Sequence, residues 1–303
     1  MQKIDLQNQP INLDLTMSCG QAFRWRKRSD GTWGGVVKDK LVELDVKDGY
    51  LLWRTYPHGD KALVEDYLRL SEDVNAVYAA LADADPRMID LTRQFRGLRF
   101  LRQDPTEALL SFVCSAANSI PRITIAVEEL AINYGELVCE IGGICYYAFP
   151  TPKAILAADA NILKSTKSLG FRGRIIRSVA QQLEDRGEGW LESLRLAPYL
   201  VAKKSLVEMN GIGPKIADCV CLFSLDKDEA VPVDTHVRQI AQRLFLPEIK
   251  SATITGIVYR NIAQTFQNRY GKYAGWAQQF LFYEDLLRTR ALGRGSAGAQ
   301  SAE

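Results

Sequence analysis

One stretch of the chain, Met209–Asp234 (MNGIGPKIADCVCLFSLDKDEAVPVD), combines three residue types that together could act on a sugar phosphate. Gly211 and Gly213 flank a tight turn ahead of a helical pattern that Pro214 begins. Paired glycines permit positive φ and close approach of another backbone. The bare N–H groups at such a helix start hold an anion, and a phosphate suits them. Lys215 falls in the first helical turn, where the helix dipole opposes a cation. The face that follows is apolar (Ile216, Ala217, Val220, Leu222, Phe223), and Cys219 lies one turn on from Lys215, on its own face. Such surroundings favour the neutral amine, the nucleophile that Schiff-base chemistry needs. Asp234 ends the apolar run Ala230–Val233 and precedes another helical pattern. A carboxylate there caps a helix. Its second oxygen is free to stabilise positive charge on a sugar as its base leaves, by the logic of glycoside hydrolysis.

From these residues alone, plainer readings stay open. The turn is also a simple helix–turn–helix connection, with glycines as stops. Lys215 is also a solvated surface lysine, the usual fate of lysine. Asp234 is also no more than a helix cap.

The elements that position these groups follow from pattern. AFRWRK, TWGGVV, KLVELDV and YLLWRT are short aromatic or β-branched runs, and Asp30-Gly31 and Asp48-Gly49 mark hairpin turns between them. In KLVELDV, Val42, Leu44 and Val46 alternate with Glu43 and Asp45, as in a sheet with one wet face. From about Asp60 the pattern turns helical. Asp104-Pro105 and Thr151-Pro152 are a cap followed by proline at the first helical position. Gly135 ends one helix and Gly170 another. Further helices fit 171–182, 201–209, 214–225, 235–245, 254–270 and 273–289. The fold class is therefore α+β: a small antiparallel β-sheet domain over 1–105, a helical domain over 106–290, and a small-residue tail over 291–303 expected to be disordered.

The bulk numbers set limits. The chain has 303 residues, 47% hydrophobic and 24% charged, which is ordinary globular composition. It lacks an apolar run of about 18 residues, so no membrane span is expected. The start, MQKIDLQNQP, has no apolar core of a secretory signal. The six cysteines are expected as reduced thiols. The protein is read as not secreted, cytoplasmic in a bacterium or nuclear in a eukaryote. A net charge of +2 permits nucleic-acid binding without demanding it. Positive surface must be local, and Arg172, Arg174 and Arg177 in FRGRIIR form one such cluster.

The segment Met209–Asp234 resembles the signature of the helix-hairpin-helix DNA glycosylases, and within them the 8-oxoguanine DNA glycosylase/AP lyase family. The interval from Lys215 to Asp234 matches that family too. The likeness covers nearly the whole chain. Cys19-Gly20-Gln21-Ala22-Phe23-Arg24-Trp25 resembles the family's N-terminal "SGQxFRW" element. It implies that the Gly20 carbonyl accepts the N7–H that distinguishes 8-oxoguanine from guanine, where the residue alone reads as a turn glycine. Ser111–Ser115 through Ile120-Pro121-Arg122 resembles "SFICS…IxRI", and Leu169-Gly170-Phe171-Arg172 resembles "LGYR". These imply Phe171 as a wedge into the duplex, with Arg122 and Arg172 contacting the cytosine left behind. Phe171 alone also reads as a hydrophobic staple on the next helix. Tyr273–Phe282 resembles "YAGWAQxxLF", which implies that Gln278 binds the base edge and Phe282 stacks on its ring, with Asp285 and Cys219 beside the base. Phe282 alone reads equally as core.

One departure stands out. Ala116-Ala117-Asn118-Ser119 occupies a stretch where the family often has asparagines, one of which fills the gap left by the flipped base. Ala117 takes that place and is too short, so Asn118 or Phe171 substitutes or the opposite-base preference relaxes. The resemblance implies a monomeric enzyme acting on damaged double-stranded DNA, removing the base and then cutting the strand, with Gly211, Gly213 and His236 on the phosphates. This chemistry calls for no metal or organic cofactor. The competing readings are a monofunctional glycosylase for another base and a non-catalytic DNA-binding module. Lys215 argues against the first. The second leaves Lys215 and Asp234 unexplained.

Overall fold

The computed structural model describes residues 1–158 and 166–299. Its elements are, in chain order, β1 (Gln2–Asp5), α1 (Leu13–Ser18), β2 (Trp25–Lys27), β3 (Trp33–Val37), β4 (Lys40–Lys47), β5 (Tyr50–Tyr56), α2 (Lys61–Tyr67), α3 (Val74–Ala84), α4 (Arg87–Gln94), α5 (Pro105–Cys114), α6 (Ile120–Tyr134), β6 (Leu137–Ile141), β7 (Ile144–Tyr147), α7 (Pro152–Ala157), α8 (Arg172–Arg186), α9 (Trp190–Ser193), α10 (Tyr199–Val207), α11 (Pro214–Ser224), α12 (Thr235–Leu244), α13 (Gly256–Tyr270) and α14 (Ala274–Ala299). Local chemistry sets many of the helix starts. Asn12, Asp60, Asp104, Thr151, Asp234 and Thr255 each accept a hydrogen bond from the backbone N–H three residues on. Each satisfies a donor that the helix itself leaves orphaned.

The chain groups into two compact units, Met1–Asn75 with Arg96–Lys227, and Ala76–Phe95 with Asp228–Glu303. The first holds an antiparallel sheet in the order β1-β5-β4-β3-β2. Asp48 and Gly49 both take positive φ between β4 and β5, as a two-residue hairpin turn requires. Trp25, Val42, Leu44, Leu51 and Trp53 from the sheet pack with Leu13 and Met17 of α1 and with Val64 and Tyr67 of α2. Trp25 donates its indole N–H to the Tyr67 hydroxyl at 2.8 Å. A Cβ on Gly35 would come within 2.5 Å of the Trp25 ring, so glycine is what lets the indole lie across β3.

Three features differ from expectation. The stretch 137–147, read as part of the helical region, forms the β6–β7 hairpin around Gly142-Gly143, both at positive φ. The expected wet face of β4 is partly dry: Glu43 is only 1% exposed and pairs with Arg28 and Arg54. Arg28 also donates to the Tyr146 hydroxyl of β7 at 3.0 Å, so the hairpin covers this side of the sheet. Third, helix α14 runs to Ala299 over most of the expected tail, because extending a helix already formed adds one bond per residue fixed. Residues 300–303 lie outside the described residues, as does part of the helix expected to end at Gly170.

In the second unit, Phe280 of α14 packs edge-on against Tyr78 at 5.7 Å, and Phe95 packs edge-on against Tyr283 at 5.2 Å. Buried Asp85 accepts from Tyr270 at 2.7 Å and from Arg269 at 3.0 Å. Burial works against its charge, but these bonds and Arg87 outweigh it and hold the carboxyl below its ordinary value.

Replacing Glu43 by alanine leaves Arg28 and Arg54 without a counter-charge beneath the hairpin. The expected loss is about 3 kcal/mol of stability in urea unfolding, the lower end for a broken buried pair because both arginines reach solvent. Glu43→Gln, which keeps an acceptor, loses less.

Candidate functional site

Helices α10 and α11 flank the turn at 208–213. Gly211 has φ +94°, and a Cβ there would meet Ile175 Cγ2 of α8 at 2.6 Å. Both the conformation and the close approach therefore require glycine. Gln182 of α8 pins the turn: its side chain accepts from Asn210 N–H at 2.8 Å and donates to the Asn210 carbonyl at 3.2 Å. Gly213 is the N-cap of α11 and offers no side chain, so the exposed first turn keeps orphan N–H donors. Below the turn, fully buried Asp218 accepts from Tyr199 at 2.7 Å and from Lys203 at 2.7 Å. This ties α11 to α10 and sets the angle at which the turn is presented.

Lys215 Nζ donates to Ser115 Oγ at 2.7 Å and lies 5.3 Å from the centre of the Phe112 ring. Ser115 is held in turn, donating to the Phe112 carbonyl at 2.6 Å. Among the described residues of its unit, the amine has a neutral hydroxyl as partner and no carboxylate within ion-pair distance. Cys219, one turn on, is buried. The floor under the amine is aromatic. Phe112 stacks on Phe223 at 5.5 Å and takes Phe23 edge-on at 5.7 Å.

Phe23 links this floor to the Gly20 loop. Gly20 sits at φ +86°, partly exposed, between Cys19 and Gln21, both fully buried. Its carbonyl accepts no hydrogen bond among the described residues.

A second loop pair lies in the same unit. Phe171 is 58% exposed at the start of α8. Arg122 is exposed in the first turn of α6. Arg172 departs from expectation. It is buried, its guanidinium donates to the Ala116 and Ala117 carbonyls, and it lies 4.6 Å from the Phe171 ring centre. In this structure it clamps the loop rather than reaching out. Arg177 likewise donates to Ile155 and Ala158 carbonyls, so of the expected basic cluster only Arg174 stands out in solvent. Asn118 is engaged locally, donating to the Cys114 carbonyl and accepting from Ser119 N–H. Ala117 is exposed at φ +48°, a conformation alanine rarely takes.

In the second unit, Asp234 caps α12 through one oxygen, Oδ1, which accepts from Val237 N–H at 2.9 Å. The approach to it is fixed by Tyr259, whose hydroxyl meets Val233 N–H and the Val231 carbonyl. Gln278 of α14 is 4% exposed, and its Oε1 has no hydrogen-bond partner among the described residues. Phe282, one turn on, takes His236 edge-on at 5.8 Å. Asp285, expected beside the base, is an ion-pair hub: it joins His236 at 3.1 Å, Arg243 at 3.3 Å and Arg288 at 2.7 Å. Burial pushes its carboxyl up, but bonds from His236, Arg288 and Arg243 outweigh that and hold it low. Asp285 thus orients His236.

Gln182, Asp218, Ser115 and Gln21 were not singled out from sequence. A polar residue inside an apolar helical face, as Asp218 is in α11, was the available signal.

Residues 3–109 match the family model described as 8-oxoguanine DNA glycosylase, N-terminal domain, and residues 110–255 match that of the HhH-GPD superfamily base excision DNA repair protein. The fold and its hairpin are those of the helix-hairpin-helix class of base excision repair proteins. The chain is 34% identical over 298 residues to the N-glycosylase/DNA lyase OGG1 of Arabidopsis thaliana, covering 95% of this chain and 81% of that protein. It is 34% identical over 324 residues to the N-glycosylase/DNA lyase of Saccharomyces cerevisiae, covering 94% and 86%. The 8-oxoguanine glycosylase/lyase of Clostridium acetobutylicum, solved with double-stranded DNA containing cytosine opposite 8-oxoguanine, superposes with a TM-score of 0.82 at 28% identity, over 92% of this chain and 93% of that one. This chain belongs to the 8-oxoguanine N-glycosylase/DNA lyase family.

Two outcomes follow for stability. Gly211→Ala combines a left-handed penalty of about 1–2 kcal/mol with the clash on Ile175, so the variant loses at least that much stability, read as a lower midpoint of thermal unfolding. For Asp285 the folded carboxyl is held low, so its contribution is present above the unfolded value of about 3.9. It is lost as pH falls through the lower folded value. Asp285→Asn should therefore be destabilised at neutral pH and converge on the parent protein in strong acid, read by thermal unfolding across the acid limb.

Proposed function

We propose that Lys215 is the nucleophile and Asp234 the supporting carboxylate of a bifunctional glycosylase/lyase that removes 8-oxoguanine from duplex DNA and then cuts the strand. The observation that carries this reading is the Lys215 amine, held at the start of α11 by a neutral hydroxyl above an aromatic ring. A base inside a duplex is unreachable, so the nucleotide must be extruded first, at a cost of a few kcal/mol. The orphan N–H groups at Gly211–Gly213 and the region of His236 hold phosphates, a grip that carries no sequence information. Phe171, Arg122 and Arg174 are suited by exposure to the duplex around the gap.

The lesion is read by groups that hydrogen-bond what guanine lacks or share its edge. The unpartnered Gly20 carbonyl accepts N7–H. The buried Gln278 amide, with its orphan oxygen, pairs with the base edge, and Phe282 stacks on the ring. Leaving such an amide unpaired is costly, so a ligand that completes it is favoured. Lys215 Nζ then attacks C1′ as the bond from C1′ to the base breaks. The base departs with the bonding pair and takes up a proton, while the free oxygen of Asp234 stabilises the positive charge on the sugar. Opening of the sugar ring gives the imine. Loss of a C2′ proton expels the 3′ phosphate by β-elimination, and water releases Lys215.

Lys215→Gln should lose both base removal and strand cutting on a duplex with one 8-oxoguanine opposite cytosine. Gln278→Ala should lower excision by roughly ten- to a hundredfold, the worth of one to two buried hydrogen bonds, while still cutting a ready-made abasic site. If Gln278→Ala and Phe282→Ala both leave excision unchanged, the assignment of α14 to the base is wrong.

A further inference from the structure

Gly20 has buried anchors on either side, and the geometry of the second one is unusually complete. Gln21 is fully buried, and its side chain bonds four groups on two stretches of the chain, 16–19 and 99–101. Nε2 donates to the Thr16 carbonyl at 2.9 Å, to the Arg99 carbonyl at 2.8 Å and to Cys19 Sγ at 3.3 Å. Oε1 accepts from Leu101 N–H at 3.0 Å. The Gln21 carbonyl itself accepts from Gln103 Nε2 at 2.7 Å. The Thr16 carbonyl is one of those that α1 leaves without an intrahelical partner, so Gln21 also caps that helix from beyond its end. The 97–103 segment it holds is itself immobilised: Arg99, fully buried, donates to the Arg69 and Glu72 carbonyls. Thr16 bonds both Gly97 and Arg99. The glycine between these anchors keeps a left-handed backbone and a carbonyl that accepts nothing among the described residues.

We propose that Gln21 is a specificity-positioning residue: it holds the Gly20 carbonyl where the damaged base is read, and it does not serve strand cutting. This rests on the reading of Gly20 given above. The physical reason is that an unbonded carbonyl on a glycine has no restraint of its own. Its direction is set by the neighbouring peptide planes, and Gln21 fixes the plane that follows. The Gly20 loop meets the floor under Lys215 through the Phe23 ring, whereas the amine itself is held by Ser115, so a small rotation at residue 20 acts on base reading first and on the amine only weakly.

The test compares two reactions in one variant. Gln21→Met keeps the side-chain length and removes every side-chain hydrogen bond. Excision of 8-oxoguanine opposite cytosine under single-turnover conditions should fall tenfold or more, on the scale of a 1 Å misplacement, while cutting of a preformed abasic duplex stays within about twofold. Equal loss of both activities in a variant that still unfolds cooperatively, or loss of neither, overturns the proposal. Should Gln21→Met fail to fold, Gln103→Leu, which removes only the bond to the Gln21 carbonyl, is judged by the same ratio and must show the same bias. If the unsubstituted protein cuts abasic DNA but does not excise 8-oxoguanine, the base-reading role of Gly20 falls, and this inference with it. If it excises normally and the variants show no bias, this inference alone falls.

Discussion

The structure depends on keeping a primary amine at the N-terminal end of a helix, where the backbone field opposes it. Lys215 occupies that place with a serine hydroxyl as its partner and a phenylalanine ring beneath it. Most of the first unit's local design follows from this. Pro214 starts the helix, Gly211 turns the chain within reach of Ile175, and Asp218 locks α11 onto α10. The Phe23–Phe112–Phe223 cluster makes the floor rigid.

The same unit solves a second problem by similar means. Buried polar hubs, each with its hydrogen bonds satisfied, fix loops that have no regular structure of their own. Gln21 does this for the Gly20 loop, and Arg172 for the turn at Ala116–Ala117. In the second unit Asp85 and Asp285 play the equivalent part, each holding several cationic or hydroxyl donors. Such hubs are strongly destabilising to break because a lone buried charge or amide is left behind. Gln278 differs from all of them in keeping an oxygen with no partner among the described residues, the observation on which its proposed role toward the base rests.

Much of this was legible in sequence where the cause is local. The four expected strands each met an Asp-Gly turn at one end, the helices at Pro105 and Pro152 were marked by Asp or Thr before proline, and the hairpin by its glycines. The exposure of Phe171 was legible because it follows a helix-stopping glycine, and it is indeed exposed. What was not legible has partners far away in the chain. Glu43 looked like a solvent residue on an alternating strand, yet Tyr146 and Arg28 close over it. The β6–β7 hairpin was missed because LVCEI and ICYY lack alternation, although Gly142-Gly143 was a readable turn. Arg172 and Arg177 counted as positive surface until their backbone carbonyl partners appeared. The bonds of Asp285 to His236, Arg243 and Arg288 were likewise hidden in the sequence, because those partners lie on another helix or a turn away. Charge counts say nothing of how charges are spent.

The central claim is that the Lys215 amine forms a covalent bond to the sugar. Borohydride reduction during reaction with a duplex carrying one 8-oxoguanine opposite cytosine tests it most directly, because reduction makes the imine permanent. The account predicts a protein–DNA adduct whose modified peptide contains Lys215, and no adduct from Lys215→Gln. An adduct that survives that substitution, or none from the unsubstituted protein while strand cutting proceeds, would contradict it.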